Sequence, residues 1–178
     1  MRYQDIIEKY YIADSPLHRL LLVHGEQVAD KAIAIARRHP ELGLDEDFLL
    51  QAGMLHDVGI FLTDAPGIHC HGTMPYLCHG LLGGILLRRE GWPEMARICE
   101  RHTGTGLTAK QITLQGLPLI PADYRPETLT EEVICYADKF FSKSHPERIR
   151  SVEDTAKSLE KFGEESVETF LRWAERFE

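Results

Sequence analysis

Helix after helix in this 178-residue chain carries one titratable side chain in the middle of an apolar stripe. Leu17, Leu20, Leu21, His24, Val28, Ala32 and Ile35 follow the i, i+3, i+4, i+7 spacing of a helix packed by one face. Met95, Ile98, Cys99 and His102 repeat it, His79 stands in line with Leu82 and Leu86, and Val133, Ile134, Ala137, Asp138 and Phe141 form a further stripe. The stretch from Leu49 ends on the adjacent pair His56-Asp57, followed by Val58-Gly59. Burying an imidazole or a carboxylate is costly unless it is paired. A divalent cation is the simplest partner that takes neutral imidazole nitrogen and carboxylate oxygen together. Helical bundles build such sites from inward side chains on facing helices.

Because these stripes dominate and strand-type alternation is nearly absent, the fold class is all-α, a bundle of roughly seven to eight helices. A first helix is expected over about residues 2–12, and Asp14 or Ser15 caps the next, with Pro16 in its first turn, through about Arg38. Asp45 starts the helix carrying His56-Asp57, residues 59–75 with His69-Cys70-His71 read as a loop over the site, and Pro75 opens a helix to about Glu90. After His102 come the small loop Thr103-Gly104-Thr105-Gly106, a short helix near 108–115, and a proline-rich loop or lid over 116–126. Thr128 or Thr130 caps the next helix, and an amphipathic region over about 151–177, interrupted at Gly163, follows it. One domain over 1–178 is expected, its core at about 15–145 and a C-terminal helical extension over 150–178.

A formal charge of −8 argues against a generic nucleic-acid or anionic-membrane surface. It leaves room for an anionic substrate, because bound metal reverses the local field. No apolar run approaches the roughly 20 residues of a membrane span, and acidic residues interrupt any secretory signal at the N-terminus. Cys70, Cys78, Cys99 and Cys135 form no Cys-x-x-Cys pair, so reduced thiols in a cytoplasmic protein are expected. A structural zinc held by His69, Cys70, His71 and Cys78 is a further use of those residues, without a recognisable ligand spacing.

The set His24, His56-Asp57, Asp138 on helices of an all-α core resembles the HD-domain superfamily of metal-dependent phosphohydrolases, over roughly residues 15–145. The stretch His56-Asp57-Val58-Gly59 is similar to that family's His-Asp-Ile-Gly variant, and His79 and His102 match the additional histidines of two-metal members. The resemblance implies that His24, His56, Asp57 and Asp138 bind one metal and that Asp57, His79 and His102 bind a second, with Asp57 and His56 as the catalytic pair. Two divalent transition metals are implied, with iron or manganese favoured over cobalt, nickel or zinc. The activity implied is cleavage of a phosphate ester or phosphodiester of a small nucleotide-like substrate by a metal-activated water.

Two departures separate the chain from members that cleave cyclic dinucleotides. Ile60 stands where those members carry a lysine, and their Gly-Tyr-Pro signature is absent. The candidates for substrate contact are Lys139, Lys143, Arg19, Thr103, Thr105, His69 and His71. The same six ligands also occur in HD-type di-iron oxygenases acting on a polyol or phosphonate, and a non-catalytic ligand-binding module is a third reading. The partner expected is a small phosphorylated molecule, with no nucleic acid, no membrane, and room for a homodimer.

Overall fold

The computed structural model describes residues 2–178, and among these it has nine α-helices. They are α1 (Tyr3–Tyr10), α2 (Pro16–Arg38), α3 (Glu46–Leu55), α4 (His79–Arg89), α5 (Pro93–Arg101), α6 (Ala109–Gln115), α7 (Leu129–Asp138), α8 (Val152–Leu159) and α9 (Glu164–Phe177). The ninth arises in the C-terminal region, where Gly163 at φ +101° divides it into α8 and α9. No helix among the described residues is long and apolar enough to cross a membrane.

Local chemistry sets the helix starts. Ser15 Oγ accepts from the His18 amide at 3.1 Å and fixes the first turn of α2. Asp45 Oδ1 accepts from the Phe48 amide at 3.1 Å and does the same for α3. In α7 the capping residue is Thr128, which accepts from the Glu131 amide at 3.2 Å, while Glu131 Oε2 accepts from the Thr128 amide at 3.2 Å. Glu131 is buried and also accepts from Arg97 Nε on α5 at 2.7 Å, so this cap ties the start of α7 to α5.

The segment expected to be a loop over the site is more ordered than its sequence suggested. It folds into short 3-10 turns and a three-stranded sheet of order β2-β1-β3, with β1 Thr63–Ala65, β2 Cys70–His71 and β3 Met74–Pro75. Strand β1 runs antiparallel to β2, pairing Asp64 with His71, and parallel to β3, pairing Thr63 with Met74. Helix α4 starts at His79 rather than Pro75, because residues Tyr76–Cys78 form a tighter 3-10 turn.

A single apolar cluster extends from Ile6 in α1 to Phe177 in α9. Tyr136 of α7 stacks on Phe170 at 5.1 Å and meets Phe177 edge-on at 5.4 Å, so α9 packs against α7. On α9 Leu171 is 41% exposed, while Phe170 and Trp173 are buried. Two glycines permit the close approaches that bring the site together. A Cβ on Gly53 would stand 2.7 Å from Ala29 Cα, so only glycine lets α3 press against α2 there. A Cβ on Gly59 would overlap the His79 carbonyl and the Gly83 amide, which places the turn after His56-Asp57 directly on α4.

Gly59→Ala should therefore cost about 3 kcal/mol or more, a fall in Tm of about 6–12 °C, because the overlapping atoms are backbone. Gly67→Ala is the control, since nothing lies within 4 Å of a Cβ there. Equal melting of the two variants by circular dichroism would contradict this packing.

Candidate metal centre

Four helix ends and one helix middle converge on Asp57, which is 1% exposed. His24 comes from the middle of α2, His56 and Asp57 from the end of α3, His79 from the first residue of α4, His102 from the end of α5, and Asp138 from the last residue of α7. All six side chains are buried, Asp138 the most open at 8%. The two carboxylate oxygens of Asp57 face different partners. Oδ2 lies 3.2 Å from His24 Nε2 and 3.2 Å from His56 Nε2, and Asp138 Oδ1 completes this group at 3.0 Å from His24 Nε2. Oδ1 lies 3.3 Å from His79 Nε2 and 3.3 Å from His102 Nε2. Within each group the donor atoms lie within 4.8 Å of one another.

The hydrogen bonds of the rings decide which nitrogen is available. His56 Nδ1 donates to the Gly53 carbonyl at 2.7 Å, His79 Nδ1 to the Tyr76 carbonyl at 2.7 Å, and His102 Nδ1 to the Cys99 carbonyl at 2.8 Å. A carbonyl only accepts, so each Nδ1 carries the proton, and a neutral ring then presents a lone pair at Nε2. The 3-10 turn before α4 is what delivers the Tyr76 carbonyl to His79. His79 Nε2 and His102 Nε2 stand 3.0 Å apart. Between two neutral rings this is a contact of two lone pairs with no proton to share, which a cation between them would relieve.

Other buried atoms make the same demand. His56 Nε2 and both oxygens of Asp57 have no well-directed hydrogen bond, and orphans of this kind are rare in native interiors. Donor atoms about 3 Å apart are what two ligands ~2.1 Å from one ion present in octahedral geometry. The residues fit a pair of divalent ions, one for each oxygen of Asp57.

Electrostatics divide the groups further. Burial holds the pKa of His79 down, to about 3, and also lowers that of His102, so both are neutral at physiological pH. Burial works against charge on His56 as well, but Asp57 and Asp138 outweigh it and raise the pKa to about 9. Asp57 pays for burial too, yet Lys143 ahead of His56 holds its pKa well below the carboxylate range. Lys143 reaches in from the segment after α7, its Nζ 2.6 Å from Asp57 Oδ2.

The residues considered for substrate contact separate clearly. Lys143 is at the centre. Lys139 Nζ donates to Asp138 Oδ2 at 2.6 Å and to the His102 carbonyl at 2.7 Å, so it braces one residue from each group. Arg19 is exposed and bonds the Asp14 carbonyl at the start of its own helix, which keeps it out of the site. Thr105 Oγ is spent on Ser166 of α9 at 2.8 Å, and Thr103, half-buried, lines a small hollow under Leu119 and Tyr124. His69 and His71 are exposed on the small sheet and belong to neither donor group. No zinc cluster forms with the cysteines, because Cys78 Sγ bonds the Pro118 carbonyl at 3.0 Å and Cys70 is buried facing the Ile68 carbonyl. All four cysteines are free thiols. Sequence reasoning offered Lys143 as a substrate contact and did not foresee its pairing with Asp57; it missed Tyr76, whose ring stacks on His79 at 4.7 Å, and only its position three residues before a candidate ligand pointed to it.

A helical bundle with a shared buried carboxylate and two sets of imidazole and carboxylate donors is an arrangement that could hold divalent metal ions. Residues 21–142 match the HD domain family, and the chain belongs to it. Among curated proteins it is 30% identical over 151 residues to a tRNA (cytidine(56)-2'-O)-methyltransferase of Thermoplasma volcanium, a match covering 84% of this chain and 38% of that protein. It is 33% identical over 141 residues to an uncharacterized protein of Methanocaldococcus jannaschii, covering 79% of this chain and 73% of the relative. A second methyltransferase of the same name, from Picrophilus torridus, is 30% identical over 124 residues, 69% of this chain and 32% of that protein. The chain thus spans about a third of the length of the two methyltransferases. No solved structure matches it significantly.

The two groups should differ in their response to pH. His56 must lose a proton before its Nε2 binds an ion, so each pH unit below about 9 weakens the first group by up to about tenfold. His79 and His102 are already neutral, and the second group should be nearly flat through the neutral range. Calorimetric titration with manganese from about pH 6 to 9 reads both, and two equally flat steps would contradict the assignment. His79→Ala or His102→Ala should reduce the metal content of purified protein from about two ions per chain to about one.

Proposed function

We propose that this chain is a metal-dependent phosphohydrolase that cleaves a phosphate ester or phosphodiester of a small nucleotide-like substrate with a metal-activated water. The observation that carries this reading is the division of Asp57, one oxygen to each donor group. In the resting assignment His24, His56, Asp57 and Asp138 hold one ion and Asp57, His79 and His102 hold the other, with iron or manganese favoured by the mixed nitrogen and oxygen donors. Such ions, when bound, acidify a water and neutralise charge on the phosphoryl oxygens.

The chain's own groups supply the rest. Asp57 and His56 form the pair assigned to catalysis, and Asp57 sets the spacing of the two groups. Lys139 holds Asp138 and the His102 backbone in one arrangement. The Tyr76 ring keeps the His79 imidazole oriented by stacking on it. Lys143 brings a cation to the Oδ2 side of Asp57, where an anionic substrate needs one.

Methyl transfer is not carried over from the two longer relatives. That reaction draws on a methyl donor rather than on paired ions, and the matched segment is 38% and 32% of those proteins. Protein loaded with manganese or iron should release phosphate from at least one class in a panel of phosphomonoesters, phosphodiesters and nucleotides. Asp57→Asn and His56→Ala should lower that turnover at least about 100-fold with helix content unchanged. Oxygen uptake with a polyol or phosphonate, and no phosphate released from any ester of the panel, would give the site to an oxygenase instead. Metal-bound protein that turns over nothing in either assay would leave a ligand-binding module.

A further inference from the structure

The candidate ligands are too deeply buried to meet a substrate except where a neighbouring side chain leads outward. Two do. Lys143 has its ammonium on Asp57 and Tyr76 has its ring on His79, and both also line an open cleft of about 510 Å³. One wall of this cleft is the end of β1 and the turn after it, and the other is the segment that follows α7.

The charge of this cleft is opposite to that of the chain. Asp and Glu outnumber Lys and Arg, 28 to 20, yet the cleft is lined by Lys143 and Arg150 and by no carboxylate. A hollow of about 530 Å³ behind residues 104–106 shows the contrast: Arg125, Arg172 and Arg176 there share the walls with four carboxylates. In the cleft the inner cation is engaged, since Lys143 pairs with Asp57. The outer cation is not. Arg150 has one side-chain contact, Nη1 to the Lys139 carbonyl at 3.4 Å, and no carboxylate partner. Ser142 and Ser144, with hydroxyls 3.1 Å apart, add donors at the same rim, and Phe141 and Tyr76 give the middle an aromatic wall.

We propose that this cleft holds a second anionic group of the substrate, bound by Arg150, while the scissile phosphoryl group reaches the metal centre past Lys143 and Tyr76. This rests on the phosphohydrolase reading and narrows it. The substrate class is then a phosphate ester whose carbon frame carries another phosphate or a carboxylate. A guanidinium matches either group through two parallel hydrogen bonds. Arg150 is a specificity-determining residue in this scheme and has no part in breaking the ester.

Non-hydrolysable pairs test it: phosphonoacetate, phosphonopropionate and phosphonobutyrate, each against the alkylphosphonate of equal length, titrated into manganese-loaded protein by calorimetry. At one length at least, the acid should bind about tenfold more tightly than its alkyl counterpart. In Arg150→Gln that preference should fall to within about twofold, with alkylphosphonate affinity unchanged. Equal affinities at every length in the natural protein, or a preference that survives both Arg150→Gln and Arg150→Ala, would overturn the proposal while leaving the phosphohydrolase reading intact. Failure of every phosphonate to bind in a metal-dependent way would overturn both.

Discussion

The buried carboxylate of Asp57 is the interaction on which this structure depends. A charge at 1% exposure is sustained only if the surroundings return what water no longer supplies. Four imidazoles and one ammonium surround its two oxygens: Lys143 and a protonated His56 bring positive charge to the Oδ2 side, while the neutral rings of His79 and His102 leave the Oδ1 side in need of a cation. To aim them, five helices must end or cross at one point, and the glycine contacts between α2 and α3 and between the His-Asp turn and α4 follow from that requirement. The architecture is better described as a shell built around one anion than as a core with a site on its surface.

Much of this was written in the sequence, and for a physical reason. His24, His79, His102 and Asp138 each occupy a core position of a helical stripe, so periodicity alone pointed them inward, and the structure brings them together with His56 and Asp57. The cap at Asp45 was legible, and those at Ser15 and Thr128 were legible as one of two candidates each, because a cap is a local bargain between one side chain and the amide three residues on. The sheet at 63–75 was not, since strands of two or three residues leave no alternation to read. The places of Lys143 and Arg19 were equally hidden. Both are cations near candidate ligands in sequence, and only the path of the chain after α7 sends one to Asp57 while the other turns back to its own helix start.

Membership of the HD domain family, the helical fold and the donor geometry agree with one another, while the names of two relatives point to a different chemistry. The disagreement is one of extent. The matched segment is a minor part of those longer proteins, whereas it makes up most of the uncharacterized relative from Methanocaldococcus jannaschii. A segment similar to this chain occurs both as most of one relative and as a minor portion of two longer ones, so a name given to the whole says little about the portion.

The two donor groups also differ in how far along the chain their members lie. His79 and His102 are 23 positions apart and sit on neighbouring helices α4 and α5, whereas His24 and Asp138 are 114 positions apart. Closing a longer loop costs more entropy and takes longer to accomplish. The second group is thus a local product of the chain's middle, available as soon as α3, α4 and α5 have met. The first exists only once α7 has closed onto α2, which makes its completion a report that the distant α2, α3 and α7 have met.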